Sequence, residues 1–356
     1  MADYIMLNNE HRIPQVALGT SRIPDEKLEV CIKLALEMGY RHIDTAFIYG
    51  NERAIGKALQ EYFEATNLRR EEVFITTKLL PNFMTESAVG PALDESLRRL
   101  RLDYVDLFLI HIPCAMKHLD SYPEKHPGHE ETVQVDLRET WKAMEETVYK
   151  GKARSIGVSS FNAKQLDYIL EVARIKPAVN QVEAHARFPQ KKLHAFCKSR
   201  NIQLEAFSPL GSPYFNGSAI LNTIQSADNV VENSVVMDMA QKYKRTTGQI
   251  LLRNLVQRGI VVIPKSENPQ RMRENIEIFS FSLSDEDMKR IDELDNGERR
   301  FCFSCYGHLR TTSPVCKMHV CSVCVAATII QWGQLVQFLR PTCRNLVQRP
   351  PRISIQ

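Results

Sequence analysis

Four side chains that can move or orient a proton follow three short apolar runs of this chain. Asp44 and Tyr49 lie five residues apart after the first run, Lys78 ends the second, and His111 follows the third. A phenol has a pKa of about 10, which a nearby ammonium group lowers, and a carboxylate can hold that ammonium in place. A neutral histidine can orient a carbonyl by donating a hydrogen bond. The four side chains therefore predict an acid–base site that protonates a carbonyl oxygen as hydride arrives at carbon.

Strands and helices must alternate regularly if these side chains are to meet. The predicted strands are residues 16–18, 42–46, 73–78, 106–112, 155–159, 180–184, 203–207 and 259–264. The predicted helices between them are residues 25–38, 85–99, 140–150, 163–173, 192–199, 234–243 and 247–257. Eight strands that alternate with helices indicate an α/β protein with a parallel sheet. Closed on itself, that sheet is a (β/α)8 TIM barrel, whose active sites lie at the carboxyl ends of the strands.

A flat, doubly wound sheet is the alternative fold for the same alternation. Its dinucleotide-binding form needs a Gly-x-Gly-x-x-Gly loop after a strand, and no predicted strand is followed by one. Two long loops, residues 112–138 and 208–233, follow the fourth and seventh strands. Because loops of this length usually carry function, we expect them over the C-terminal face of the barrel.

The composition is that of an ordinary globular protein, with 44% hydrophobic and 25% charged residues among 356. The first residues show neither a basic start nor a long apolar run, so the sequence predicts no signal peptide. The most apolar stretch, residues 323–339, is interrupted by three glutamines and a glycine and is a poor membrane span. We therefore expect a cytoplasmic protein that does not associate with membranes.

The end of the chain has a different composition from the rest. All 42 acidic residues precede residue 299, whereas eight of the 46 basic residues and six of the nine cysteines follow residue 298. These features predict a barrel domain at 1–298 and a basic, cysteine-rich tail at 299–356 without an independent fold. The alternative is a zinc site, because the tail spaces possible ligands suitably at Cys302, Cys305, His308, Cys316, His319, Cys321 and Cys324. Basic residues without interleaved aromatic side chains do not predict a nucleic-acid partner.

The motifs of the barrel segment resemble those of the aldo-keto reductase superfamily, in particular its aldose reductase and aldehyde reductase branch. The resemblance runs from Leu7 to about Leu294. It is carried by Leu18-Gly-Thr20, Tyr40-Arg-His-Ile-Asp44, Tyr49-Gly-Asn-Glu52, Leu109-Ile-His111, Gly157-Val-Ser159, Asn180-Gln181-Val-Glu183, Phe207-Ser208-Pro-Leu210-Gly211 and Ile263-Pro-Lys265-Ser266. The resemblance implies Tyr49 as general acid, assisted by Lys78 and Asp44, with His111 orienting the carbonyl. It also implies a substrate site at Tyr49, His111 and Ile112.

NADPH is the cofactor that the resemblance implies. Lys265, Ser266 and Arg271 would place two cations and a hydroxyl around a 2′-phosphate, which arginine binds through two parallel hydrogen bonds. Without the resemblance, the same residues also suit a solvated cluster before a helix. The remaining cofactor residues implied by the resemblance are Thr20, Ser159, Ser160, Gln181, Phe207, Ser208, Leu210, Ser212, Glu274 and Asn275. Among these, Phe207 would stack on the nicotinamide, and Ser159 with Gln181 would bind its carboxamide.

The sequence departs from the family pattern around the expected pocket. Ser160 stands where the family usually has asparagine, which shortens one contact to the carboxamide. Ser21, Leu80 and Ile112 stand where this branch usually has tryptophan. The departures predict a wider and less aromatic pocket, so the substrate preference of aldose reductases does not transfer to this chain.

Three functions follow from these observations. The first is NADPH-dependent reduction of small aldehydes or ketones by a monomeric enzyme without a catalytic metal. The second is a catalytically weak, NADPH-binding barrel with a structural or interaction role, which the altered pocket favours and the intact set of four acid–base residues disfavours. The third is an interaction protein whose working part is the cysteine-rich tail.

Overall fold

The structure, a computed structural model, describes residues 3–123, 131–212, 222–223 and 229–302. The strands are β1 (Tyr4–Met6), β2 (Arg12–Pro14), β3 (Leu18–Gly19), β4 (His42–Asp44), β5 (Phe74–Leu79), β6 (Val105–Ile110), β7 (Ala115–Met116), β8 (Thr132–Val133), β9 (Ala153–Ser159), β10 (Val179–Glu183), β11 (Gln203–Phe207), β12 (Asn222–Thr223), β13 (Val261–Ile263) and β14 (Phe301–Cys302). The helices are α1 (Asp25–Glu37), α2 (Glu52–Ala65), α3 (Glu86–Leu100), α4 (Leu137–Tyr149), α5 (Ala163–Leu170), α6 (Lys191–Ser199), α7 (Ser234–Tyr243), α8 (Thr247–Gln257), α9 (Pro269–Ile276) and α10 (Asp285–Asp292).

Eight parallel strands form the central sheet, in the order β13-β11-β10-β9-β6-β5-β4-β3. The two ends of that order meet at a seam, which we define by the parallel bridge between Val16 and Val262. Backbone hydrogen bonds from Ala17 N–H to Val262 O (2.9 Å) and from Gly19 N–H to Pro264 O (3.1 Å) join the ends. The predicted (β/α)8 barrel is therefore confirmed.

Each predicted strand and helix has an observed counterpart, with ends that differ by a few residues. The prediction missed α2, whose buried residues Ile55, Ala58 and Leu59 follow the spacing of a helix that packs on one side. It also missed the antiparallel hairpin of β1 and β2. The hairpin strands are only three residues long, and so short a pattern carries little periodicity.

The hairpin belongs to a small hydrophobic cluster of its own. Ile13 is fully buried there together with Phe74, Leu107 and Val179, near the amino-terminal ends of their strands. A much larger cluster fills the space between the strands and the surrounding helices, with Trp141 among its fully buried side chains. Burying these apolar surfaces stabilises the barrel and leaves its carboxyl end for polar residues.

Two glycines mark places where backbones approach too closely for a side chain. A Cβ at Gly56 of α2 would lie 2.5 Å from the carbonyl oxygen of Leu100, so α2 packs directly on the end of α3. A Cβ at Gly157 of β9 would lie 2.5 Å from the carbonyl oxygen of Val179. Glycine at both positions permits the close approach that the barrel wall requires.

Polar residues at or just after the carboxyl ends of the strands form the rim of the barrel. Because neighbouring strands are parallel and in register, Asp44 pairs with Thr76, Lys78 with Leu109, and Gln181 with both Ser159 and Glu205. These pairings bring residues that are far apart in sequence to one end of the barrel. That end contains the candidate site.

Candidate active site

Lys78 and Asp44 form a buried ion pair at the centre of the rim. The Lys78 Nζ donates to Asp44 Oδ1 and Oδ2, at 2.7 and 2.8 Å, and to the carbonyl oxygen of Thr45 at 2.8 Å. The Lys78 side chain has no exposed surface. Burial alone would lower the pKa of this lysine, but Asp44 and then Tyr49 outweigh it, and the pKa is raised. Lys78 is therefore a fixed positive charge.

Tyr49 is presented to that charge by a single 3-10 turn, Phe47–Tyr49, which ends at Gly50 in the left-handed conformation (φ 69°). The Tyr49 hydroxyl lies 3.5 Å from Lys78 Nζ. Burial raises the pKa of Tyr49, whereas Lys78 lowers it, and the net shift is upward. The effect of Lys78 has the predicted sign, but burial outweighs it. The phenol therefore keeps its proton at neutral pH, as a proton donor must.

His111 completes the predicted set of four. It follows β6 directly, and its ring faces the Tyr49 ring edge-on, with centroids 5.8 Å apart and an interplanar angle of 80°. Ile112, the next residue, is buried with 6% of its surface exposed. The structure thus brings Asp44, Tyr49, Lys78 and His111 together at one end of the barrel.

A second layer of buried polar residues lies against the ion pair, and the sequence analysis did not identify it as such. Gln181 Nε2 donates to Asp44 Oδ2 at 2.8 Å and to Glu205 Oε2 at 2.9 Å. Glu205 and His42 are both fully buried, with His42 Nε2 3.7 Å from Glu205 Oε1 and 2.9 Å from Thr76 Oγ1. In the sequence, the sign of this layer was Glu205, an acidic residue between the apolar Leu204 and Ala206 of β11.

Burial sets the protonation states of this layer. It raises the pKa of Glu205 to about 8, with the nearby Asp44 charge adding to the effect. It lowers the pKa of His42 to about 3. At neutral pH both groups are thus largely uncharged, because a low-dielectric environment disfavours an isolated charge. Gln181 connects this neutral layer to the charged Asp44–Lys78 pair.

The residues predicted for the nicotinamide carboxamide lie beside this network. Ser159 is buried at the end of β9, where it is the register partner of Gln181 on the neighbouring strand β10. Both amide hydrogens of Gln181 are donated to carboxyl oxygens, one of Asp44 and one of Glu205, which leaves the Gln181 oxygen as the group suited to accept from a carboxamide. Ser160 adopts φ 64°, a left-handed conformation that asparagine tolerates better than serine.

Phe207, predicted to stack on the nicotinamide, and the predicted cofactor residues Ser208, Leu210 and Ser212 lie at and just after the end of β11. Phe207 ends the strand, and its ring packs edge-to-face on the Phe301 ring, with the ring centroids 5.6 Å apart. Ser208, Gly211 and Ser212 all have positive φ. Leu210 is half-buried. The Gly211 N–H donates to the Ser208 carbonyl oxygen at 2.9 Å within this turn. Left-handed residues in a turn are typical of backbone concavities that bind anions.

The residues predicted for the 2′-phosphate form a compact segment after β13. Lys265 and Arg271 are exposed and Ser266 is buried. The Asn268 side chain caps α9 by accepting from Arg271 N–H at 3.0 Å. The Ser266 hydroxyl accepts from Asn268 N–H at 3.1 Å. Two cations and a hydroxyl thus lie within the segment 265–271, and these groups are of the kind that binds phosphate.

Two predicted cofactor residues, Glu274 and Asn275, lie on α9, where Asn275 is buried and Glu274 half-buried. Glu274 accepts from Gln270 Nε2 at 2.9 Å. Thr20 has no exposed surface, and its hydroxyl donates to the carbonyl oxygen of Asp44 at 2.9 Å. Thr20 therefore supports the Asp44 backbone, a role that the sequence analysis did not foresee.

Two of the three positions expected to lack a pocket tryptophan differ in their surroundings. Leu80 is 1% exposed and belongs to the main hydrophobic cluster. Ser21 is half-buried, before α1. The wider pocket stays a prediction.

Residues 299–301, which the prediction assigns to the tail, contact the barrel. Glu183 at the end of β10 accepts from the backbone N–H of Arg300 (2.6 Å) and of Phe301 (3.0 Å). The short strand β14 also pairs antiparallel with β12. The possible zinc ligands from Cys305 to Cys324 lie outside the described residues. Within the described parts of the chain, no group of three or more His, Cys, Asp or Glu side chains is placed to hold a metal ion.

None of the helices in the described ranges combines the length and apolar character needed to cross a membrane.

Comparison with known proteins supplies the family. A family model described as "Aldo/keto reductase family" matches residues 15–296. Aldo-keto reductase family 1 member A1-A of Danio rerio is 42% identical over 307 residues, covering 84% of this chain and 91% of that protein. Aldo-keto reductase family 1 member C1 of Homo sapiens is 41% identical over 305 residues, covering 83% and 92%.

The fold comparison agrees with these matches. The aldose reductase structure from Schistosoma japonicum superimposes with a TM-score of 0.77 at 38% identity, covering 85% of this chain and 95% of that one. Family model, sequence relatives and solved structure all match the barrel that carries Asp44, Tyr49, Lys78 and His111. The chain belongs to the aldo/keto reductase family of oxidoreductases, in its aldose and aldehyde reductase-like branch.

Proposed function

We propose that this protein reduces aldehyde or ketone carbonyls to alcohols with NADPH, using Tyr49 as the general acid. The observation that carries the proposal is the buried Lys78–Asp44 pair with the Tyr49 hydroxyl 3.5 Å from Lys78 Nζ. A protonated phenol beside a fixed positive charge can donate a proton, because the charge stabilises the phenolate that remains.

The proposed roles follow from the positions of the four side chains. Tyr49 protonates the carbonyl oxygen, Lys78 stabilises the resulting phenolate, and Asp44 holds Lys78 in place through two hydrogen bonds. His111, edge-on to the Tyr49 ring, orients the carbonyl. Holding the reacting groups in a preset arrangement lowers the barrier, since little reorganisation remains at the moment of reaction.

NADPH, when bound, supplies the hydride that reaches the carbonyl carbon. Phe207 would stack on its nicotinamide, and Ser159, Ser160 and Gln181 would bind the carboxamide. At the other end, Lys265, Ser266 and Arg271 would hold the 2′-phosphate. The remaining proposed contacts come from Thr20, Ser208, Leu210, Ser212, Glu274 and Asn275.

A direct assay tests the proposal. Purified full-length protein is mixed with NADPH and a panel of small aldehydes and ketones, and NADPH oxidation is followed at 340 nm. We expect turnover of at least one carbonyl compound. Tight NADPH binding, measured by fluorescence titration, without turnover of any of them would instead favour a catalytically weak, cofactor-binding barrel. This second function is favoured by the half-buried Ser21 and the buried Leu80, which stand where this branch of the family usually has tryptophan.

We also propose that the protein is a monomer in the cytoplasm. Cys31 and Cys197 are buried free thiols, which is typical of proteins in a reducing compartment. Size-exclusion chromatography with light scattering tests the oligomeric state, and a mass of twice that of the chain would contradict a monomer.

A further inference from the structure

An acidic residue lies within the cluster of cations predicted to bind the 2′-phosphate. Glu267 follows Ser266 directly, and its Oε1 lies 2.5 Å from Lys265 Nζ. Its Oε2 lies 3.1 Å from the Nζ of Lys27 on α1. The Glu267 side chain is 27% exposed, and the hydrogen bond from Lys265 lowers its pKa. A negative charge therefore bridges two lysines in this segment.

This bridge affects two cofactors in opposite ways. A 2′-phosphate brings two negative charges, so it must compete with Glu267 for Lys265 and then lie close to the Glu267 carboxylate. A ribose without the phosphate presents a 2′-hydroxyl, which can donate a hydrogen bond to a carboxylate. The carboxylate thus disfavours the phosphorylated ribose and can favour the unphosphorylated one.

We propose that Glu267 is a specificity-determining residue that weakens the preference of this protein for NADPH over NADH. The inference rests on the proposed function, because it assumes that the adenosine end of a nicotinamide cofactor lies beside Lys265. It concerns the ratio of the two affinities and does not depend on which carbonyl compound is reduced.

The expected size of the effect follows from the surroundings of the pair. Lys265 is exposed and solvent screens the charges, so a single carboxylate changes the binding of a phosphate by far less than a buried charge would. Arg271, also exposed at the start of α9, remains as a second cation. We expect Glu267→Gln to raise the ratio Kd(NAD⁺)/Kd(NADP⁺) by roughly tenfold.

Isothermal titration of the full-length protein with NADP⁺ and NAD⁺ measures this ratio without any substrate. Adenosine 2′,5′-bisphosphate and AMP are titrated in parallel, because they isolate the contribution of the 2′-phosphate from that of the nicotinamide. In Glu267→Gln we expect tighter NADP⁺ and bisphosphate, with NAD⁺ and AMP unchanged or weaker. Far-ultraviolet circular dichroism confirms that the variant is folded.

Glu277→Gln is the matched control, since it removes the same charge from the same segment of the chain. Glu277 is exposed just after α9 and lies 4.0 Å from Arg273. About eight residues of helix separate it from the Glu267 end, roughly 12 Å, which exceeds the screening length of about 8 Å at physiological salt. The control should leave the Kd ratio within about twofold of the unsubstituted protein.

The outcomes separate the inference from the proposed function. An unchanged Kd ratio in Glu267→Gln, or an equal rise in Glu277→Gln, would overturn the inference while leaving the proposed function intact. Failure of the unsubstituted protein to bind either NADP⁺ or NAD⁺ would overturn the proposed function, and the inference with it.

Discussion

The proton donation that we propose for Tyr49 depends on two opposing influences on one hydroxyl. Burial favours the neutral phenol, and Lys78 at 3.5 Å favours the phenolate. A group that keeps its proton before reaction and whose conjugate base is stabilised afterwards is suited to general acid catalysis. The ion pair with Asp44 keeps the stabilising charge fixed throughout.

Removing the hydroxyl tests this role most directly. In Tyr49→Phe we expect kcat to fall by about 10²–10⁴-fold, the usual contribution of a positioned acid. The dissociation constant of NADPH, measured by fluorescence titration, should stay within about threefold, because the ring and its packing remain. Turnover equal to that of the unsubstituted enzyme would eliminate Tyr49 as the general acid.

Glu205 is predicted to make stability depend on pH. Its pKa is raised by burial from 4.5 to about 8, so the folded state binds a proton that the unfolded state releases between these values. This contribution is fully present below about pH 4.5 and is lost as the pH rises towards 8. The Glu205 contribution to the free energy of unfolding should therefore fall across this window, by up to about 1.4 kcal/mol per pH unit. Below about pH 6.5 the lowered pKa of His42 opposes this fall, so the net loss of stability belongs to the upper part of the window.

Urea denaturation at several pH values measures this slope. In Glu205→Gln the fall between pH 5 and 8 should be smaller, since the amide does not titrate. Glu37→Gln, on the exposed surface of α1, serves as the control and should keep the original slope. If Glu205→Gln and the unsubstituted protein lose stability in parallel over this range, Glu205 is not the group responsible.

At the scale of elements, the site depends on how closely the helices approach one another. Asn51 and Glu52, at the start of α2, follow the turn that carries Tyr49 directly. Glu52 Oε1 accepts from Thr77 Oγ1 on β5 at 2.7 Å, which connects α2 to the strand that carries Lys78. The glycine at position 56 allows α2 to pack against α3 without displacing this connection.

A single methyl group at position 56 tests the close packing of α2 on α3. Alanine normally stabilises a helix relative to glycine by up to about 1 kcal/mol. In Gly56→Ala the new Cβ would meet the Leu100 carbonyl group at 2.5 Å, so we expect a net loss of about 1–3 kcal/mol in the free energy of unfolding.

The control for this experiment lies on the neighbouring helix. Gly90 is inside α3, and a Cβ there would have no atom within 4 Å. Gly90→Ala should therefore change the free energy of unfolding by less than about 1 kcal/mol in the same urea titration, because the restriction that Pro91 places on the preceding residue offsets the helix propensity of alanine. A larger loss in Gly56→Ala than in Gly90→Ala is the expected result, and equal losses would contradict the packing argument.

The elements and the four acid–base residues could be predicted from the sequence because their signals are local. The apolar runs predicted the strands. Because these runs end at Asp44, at Lys78 and just before His111, they also predicted which polar side chains lie at the strand ends. Glu205, Gln181 and His42 form contacts between strands far apart in sequence, and only strand register reveals such contacts. The pKa of Tyr49 likewise depends on burial by surrounding elements, which no local pattern contains.

At the scale of the whole molecule, the segment that follows the barrel is attached at the rim. Glu183 accepts two backbone N–H groups from Arg300 and Phe301, and the Phe301 ring lies against Phe207. Hydrogen bonds to a charged acceptor contribute about 1.5–3 kcal/mol each when they are shielded from water. The Glu183 carboxylate therefore contributes to the attachment of residues 300–301, together with the Phe207–Phe301 contact and the pairing of β14 with β12.

Loss of this carboxylate should detach the segment from the rim. In Glu183→Gln one acceptor oxygen remains but its charge is lost, so we expect trypsin to cleave after Arg299 and Arg300 several times faster. Mass spectrometry of short digests identifies the cleavage sites. Glu293→Gln, an exposed residue after α10, should leave the cleavage rate unchanged. Equal rates for both variants would show that Glu183 does not restrain the segment.

The seam between β3 and β13 has a consequence for how the barrel opens. Backbone hydrogen bonds from Ala17 to Val262, from Gly19 to Pro264 and from Val262 to Gln15 cross it. The nearby Lys27–Glu267 contact and the hydrogen bond from the Tyr40 hydroxyl to Met272 O (2.8 Å) also connect the beginning of the barrel to its end. A cofactor bound by the turn after β13 would connect β3 and β13, the two ends of the strand order. Amide hydrogen exchange of Ala17 and Val262 should then slow when NADP⁺ is added, while exchange within β6 stays the same. Release of the cofactor and transient opening of the barrel wall would be a single event.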